Sequence, residues 1–136
     1  MSTIDWDDLV RRARAVREHA HAPYSNYRVG AALITASGAI HVGCNVENAS
    51  YGLTVCAERS AIASMVAAGD REPIAIAIVT AGPEAGSPCG MCRQVLAEFA
   101  MDLPVRLLTT DPSTPPTLTT LGELLPLAFR ADKLGR

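Results

Sequence analysis

The sequence predicts an α/β fold in which a mixed or parallel sheet is covered by helices. Two observations carry this expectation. Segments with strand-like apolar patterning alternate along the chain with segments of helical periodicity. One strand-like run, Ile74 to Thr80, is almost wholly apolar, as a strand buried on both faces of a sheet must be. At 136 residues, 49% of them hydrophobic, the chain has the size of one ordinary domain and enough apolar material for a core, so a single domain over residues 1–136 is expected.

The first helix is expected from Ile4 to about Ala20. Ser2, Thr3 or Asp5 can cap it, and Asp7 and Asp8 fall in the first turn, where the helix dipole favours carboxylates. Leu9, Val10, Ala13 and Val16 form its apolar stripe, and His19 and His21 close it. Pro23 turns the chain within APYSNY. Val29–Ala36 and Ile40–Asn45 read as a hairpin with Ser37-Gly38 as the turn. Asn45 to Val55 is polar and irregular, a loop of a length that usually has a function. Cys56 to about Ala68 is an alanine-rich helix ended by Gly69. After the buried strand and the loop AGPEAGSP, Gly90 to about Met101 predicts a helix with Val95, Leu96 and Phe99 turned inward. A strand over Val105–Thr110, a loop to Pro116 and a short helix over Leu121–Leu125 complete the pattern. In such sheets the site lies at the carboxyl ends of strands, where loops lead into helix N-termini.

Composition excludes several function classes. The formal net charge is -2 and no Lys/Arg cluster dominates, so no nucleic-acid partner is expected. The densest basic run is Arg11, Arg12, Arg14 and Arg17. It reads either as a phosphate-binding patch or as a solvated helix face with Arg14 paired to Glu18 at i,i+4, and the second reading is preferred. Asp5, Asp7 and Asp8 stand where a signal peptide would place basic and then apolar residues, and no apolar run approaches the roughly 20 residues of a membrane span. The expectation is a cytoplasmic protein without membrane contact. That compartment keeps thiols reduced, so the four cysteines need a reason other than bridging.

Three of the cysteines sit at two loop-to-helix junctions, VCAERS and PCGMCR. Helical spacing puts Cys89 and Cys92 on one face of the same turn, close enough to share a metal ion. With Cys56 they make three good zinc ligands, and three ligands with an open position is the arrangement of a catalytic zinc. Glu58 gives that arrangement a direction. A carboxylate two residues after Cys56, in the first turn of the helix, can take a proton from a zinc-bound water and deliver it elsewhere, a service no structural zinc needs. The cysteines admit two other readings. A redox C-x-x-C pair would leave Cys56 and Glu58 without a role. A zinc-stabilised binding module would need Cys44 as a fourth ligand, against the plainer reading of Cys44 as a packed residue at a strand end.

CAE followed by PCGMC matches the zinc deaminase signature in its three-cysteine form. Together with CNVENASYG upstream and AF near the C-terminus, it makes the chain resemble the homotetrameric class of the cytidine deaminase family, from about Pro23 to Phe129. The resemblance implies a three-layer α/β/α sandwich around a mixed five-stranded sheet. It implies one Zn²⁺ per chain on Cys56, Cys89 and Cys92, with Glu58 as proton carrier. The implied reaction is hydrolysis of cytidine and 2′-deoxycytidine to uridine and 2′-deoxyuridine with loss of ammonia. Three thiolates concentrate negative charge on the ion. The two helix N-termini offset it, and Arg59 matches a family arginine that does the same. Asn45 and Glu47 match the residues that hold the ribose 3′-hydroxyl, and the backbone N–H of Ala57 matches the donor to the base carbonyl. Tyr27 stands where the family usually has Phe against the pyrimidine, which adds a hydroxyl to the base pocket. Ala49, Tyr51 and Phe129 match residues inserted into a neighbouring subunit's site. A related deaminase of a cytosine-containing antibiotic nucleoside, such as blasticidin, would carry the same zinc motifs, and Asn45 and Glu47 favour the plain sugar instead.

Overall fold

The computed structural model describes residues 3–135. A five-stranded mixed sheet has the order β2-β1-β3-β4-β5, with β1 Val29–Thr35, β2 Ile40–Cys44, β3 Pro73–Thr80, β4 Pro104–Thr109 and β5 Thr117–Thr120. Only β3 and β4 run parallel, because α3 (Gly90–Phe99) makes the crossover between them. The other neighbours are antiparallel. Alternation along the strands builds two cores. Ala32, Ala75, Ala77, Val79 and Leu108 face α1 (Trp6–Arg17). Ala31, Leu33, Ile76, Ile78 and Leu107 share the opposite core with residues of α2 (Ala57–Ala67) and α3. The result is the expected α/β/α sandwich.

Local chemistry sets the element ends. Asp5 caps α1 by accepting the N–H of Asp8, while Ser2 lies outside the described residues. The helix stops at Arg17, short of the expected Ala20. His21 is instead drawn into a bridge with Val46, donating its N–H to Asn45 and accepting that of Glu47. Gly69, at φ 93°, ends α2 in a Schellman motif: its N–H goes to Val66 and that of Asp70 to Met65. Thr120 caps the short α4 (Leu121–Leu124) through the N–H of Glu123. The fifth strand, β5, has no apolar alternation in its sequence, TLTT. It is an edge strand defined by its pairing to β4, which periodicity does not reveal.

Candidate active site

Cys56 is the N-cap of α2 and Cys89 the N-cap of α3, and neither sulfur caps its own helix. Cys92 lies in the first turn of α3 and is fully buried. The three sulfurs lie within 4.8 Å of one another, with Cys56 to Cys89 at 3.8 Å and Cys89 to Cys92 at 3.5 Å. Zinc holding thiolates at about 2.3 Å in a tetrahedron needs them about 3.8 Å apart, so this donor set fits that ion. Cys44 is not in the group: it stands half-buried at the end of β2, and burial pushes its thiol pKa up. That removes the fourth ligand a closed structural site would require.

The thiols are electrostatically unequal. A hydrogen bond with the Cys92 thiol, joined by the Arg59 guanidinium, lowers the pKa of Cys56, and the same pairing raises that of Cys92. Arg59 donates to the Thr54 carbonyl at 2.9 Å and reaches the Cys56 sulfur at 3.9 Å. Glu58 lies in the first turn of α2, two residues after Cys56, and is only 4% exposed. Burial pushes its pKa up to about 7, so it holds a proton more readily than an ordinary carboxylate. A divalent cation beside it acts in the opposite sense and favours the charged form.

Cys56, Glu58 and Cys89 open onto a cavity of about 260 Å³ at the carboxyl end of β3, where Ile78 and Thr80 form part of its wall. Tyr27, Asn45, Glu47 and Ala57 line the same cavity, so the structure brings these sequence-predicted residues together. Their side chains also hold the wall in shape. The Asn45 amide accepts the Val29 N–H at 2.9 Å and donates to the Tyr27 carbonyl at 2.8 Å. The Glu47 carboxylate accepts the N–H groups of Tyr24 and Ser25, at 2.9 and 3.1 Å, and the Ser25 hydroxyl. These bonds, the Ser25 hydroxyl foremost, lower the pKa of Glu47. Ala49, Tyr51 and Phe129 lie outside this cavity; Tyr51 is 73% and Phe129 59% exposed.

Residue reasoning passed over three contributors. Ser25 is the main partner of Glu47, and its place two residues after Pro23 marked it only as a turn residue. Thr80 accepts the Gly86 N–H at 2.8 Å and so folds the 81–88 loop back over the end of β3. Arg93 donates to the Pro88 carbonyl at 2.7 Å, the Ser87 hydroxyl at 3.0 Å and the Leu124 carbonyl at 2.7 Å, clamping the segment that carries Cys89. Its position directly after Cys92 was the available signal.

Residues 4–105 match the family model for the cytidine and deoxycytidylate deaminase zinc-binding region. The chain belongs to the cytidine and deoxycytidylate deaminase family. The match takes in the three clustered cysteines and Glu58 of this deaminase domain and leaves Phe129 outside. The chain is 44% identical to a cytidine deaminase of Sporosarcina psychrophila over 134 residues, 96% of each chain. It is 40% identical to one from Mycobacterium tuberculosis over 136 residues, covering 98% of that relative. A crystal structure of the cytidine deaminase from Burkholderia pseudomallei superposes with a TM-score of 0.87 at 48% identity, covering 93% of this chain and all (100%) of the other.

Proposed function

We propose that this chain is a single-domain hydrolytic deaminase of cytidine and 2′-deoxycytidine, forming uridine and 2′-deoxyuridine with release of ammonia, in cytoplasmic pyrimidine salvage. The observation that carries the reading is one cavity in which three convergent thiols meet a buried carboxylate. Cys56, Cys89 and Cys92 hold one zinc ion as thiolates. When bound, zinc supplies Lewis-acid activation of a water at the position the protein leaves open. Glu58 moves the protons. It accepts one from the attacking water, places one on N3 of the cytosine ring, and assists the amine at C4 to leave. Burial suits Glu58 to this exchange, since it keeps bulk water from competing for the carboxylate.

The remaining residues bind and orient. Arg59 offsets the negative charge of Cys56. Ala57 is the first residue of α2, so its N–H has no intrahelical partner and can donate to the base carbonyl. Tyr27 provides the flat wall for the base. Asn45 and Glu47 receive the ribose 3′-hydroxyl: the amide retains one N–H, and the carboxylate, with about four acceptor positions, retains one beyond the three already used. Ala49, Tyr51 and Phe129 complete the site of an adjacent subunit in a homotetramer. Their exposure supports this, because large exposed aromatics mark interfaces.

The deciding experiment is incubation of the zinc-loaded protein with cytidine, following loss of the cytosine absorbance, with blasticidin in parallel. Turnover of cytidine is expected. Turnover of blasticidin alone would move the assignment to the antibiotic deaminase, and zinc binding with neither activity would make the chain a binding module.

A further inference from the structure

The basic run of α1 takes no part in this chemistry, and only part of it is the expected solvated face: Arg11 and Arg12 are exposed and pair with Asp8, while Arg14 is half-buried. Glu18 pairs with Arg17 and Arg28, not with Arg14 as its spacing predicts. Arg14 turns toward the sheet instead. One of its terminal nitrogens lies 3.4 Å from the Thr109 carbonyl oxygen, and its Nε is buried with no hydrogen-bond partner. Beside it a groove of about 400 Å³ runs between α1 and β4, with Arg11, Arg14 and Arg106 in its wall and Val10, Leu108 and Pro116 as apolar floor. The Arg106 guanidinium lies over the Trp6 ring, 4.2 Å from its centroid. Leu108 packs in the α1 core, so the groove is on the face of the sheet opposite α2 and α3.

The charge in this groove is poorly matched from within. Arg11 is taken by Asp8. Among the described residues neither Arg14 nor Arg106 is in an ion pair, and the one carboxylate in the groove wall is Asp7. A guanidinium does not lose its proton at any ordinary pH, so this positive charge is permanent. Stacking engages the face of Arg106, and among the described residues its in-plane N–H fork makes no hydrogen bond or ion pair. Planar forks of this kind match phosphate oxygens two at a time. A cavity of this size with an apolar floor admits one small molecule carrying a ring. We infer that the groove between α1 and β4 binds a phosphate-bearing molecule of nucleotide size, its phosphate between Arg14 and Arg106 and its ring on the apolar floor.

Trp6 is the only tryptophan of the chain, so intrinsic fluorescence reads this groove directly. Zinc-loaded protein is titrated with UMP, inorganic phosphate, uridine, and potassium chloride at matched ionic strength. A saturable change in Trp6 emission is expected with UMP, half-complete below about 1 mM. It should persist under saturating uridine, because the groove and the deaminase cavity lie on opposite faces. Inorganic phosphate should compete with UMP. Arg106→Lys and Arg14→Gln should each weaken UMP at least tenfold with cytidine turnover per folded molecule unchanged. Calorimetric titration gives the same comparison free of the fluorophore. A response reproduced by potassium chloride, abolished by uridine, or untouched in both variants overturns the site. A protein that binds UMP here but leaves cytidine intact would refute the deaminase reading and keep the groove.

Discussion

Gly43 tests whether the position of α2 governs the chemistry. It lies in β2, paired with Ala31, under the start of α2. A Cβ at this residue would stand 2.4 Å from the Ala61 nitrogen, 2.5 Å from the Ala57 oxygen and 2.8 Å from the Ser60 carbonyl carbon. All three are main-chain atoms, so no side chain can rotate away. Ordinary contact begins near 3.4 Å, so the shortfall at the closest atom, 3.4 less 2.4, is 1.0 Å. Gly43→Ala must therefore lift α2 by a distance of that order, carrying Cys56 and Glu58 away from Cys89 and Cys92. Overpacking of this kind costs about 1–3 kcal/mol, and each kcal/mol lowers the Tm of a chain this size by roughly 3–5 °C. A misplacement of about 1 Å in a catalytic constellation costs on the order of 100-fold in rate. Gly30→Ala is the control. Its Cβ would meet the Ala13 carbonyl oxygen at 2.1 Å, on the α1 side of the sheet, so it should lose stability while keeping turnover per folded molecule. Thermal unfolding, zinc competition against a chromogenic chelator and initial rates on cytidine, measured on both variants, complete the assay. A Gly43→Ala protein with wild-type zinc affinity and rate would show that the site does not depend on the seating of α2.

Glu58→Gln should retain zinc and fold while kcat falls at least about 100-fold, since the amide cannot carry a proton; a residual rate of one tenth, roughly 1.4 kcal/mol of barrier, would exclude Glu58 as the carrier. Metal analysis should find zinc lost from Cys56→Ala, Cys89→Ala and Cys92→Ala and kept in Cys44→Ala, and the reverse pattern would mean the ligand set is wrong. Mixing Glu58→Gln with Phe129→Ala subunits under exchange should give more activity than the parents sum to, because some assemblies regain a complete site; no gain would refute a Phe129 ring shared between subunits. Asp70 has its pKa lowered by hydrogen bonds from His41, Thr35 and Ser37, from an ordinary 3.8. A depressed carboxyl stabilises the fold above its unfolded value and loses that contribution as pH falls through its folded value. Asp70→Asn should therefore narrow its stability gap to wild type as the pH drops below 3.8, in acid unfolding followed by circular dichroism, and a constant gap would leave Asp70 uninvolved.

Much of the site was legible because its parts are local. Cys89 and Cys92 share one helical turn, and Cys56 and Glu58 another, so the pairs follow from spacing. The long buried strand was legible as well, since β3 is covered on both faces and its sequence carries that directly. Partner choice was harder to read. Arg14 at i,i+4 from Glu18 looked like half of an ion pair, yet Arg28 from the next segment takes that carboxylate and Arg14 reaches the sheet. β5 carries no pattern of its own because half-exposed edge strands depend on the neighbour they pair with.

By itself, then, the sequence determined the alternation of helices and strands, the three zinc-type ligands and the adjacent carboxylate. Each depends on residues within a few positions of one another, where backbone geometry sets the outcome. The tertiary structure alone decided that Cys56 meets Cys89 across 33 residues, and that Asn45 and Glu47 brace the wall they line. It alone sent Arg14 and Arg106 into one groove. Such meetings are set by sheet register and by which helix covers which face, and both follow from the burial of the whole core at once.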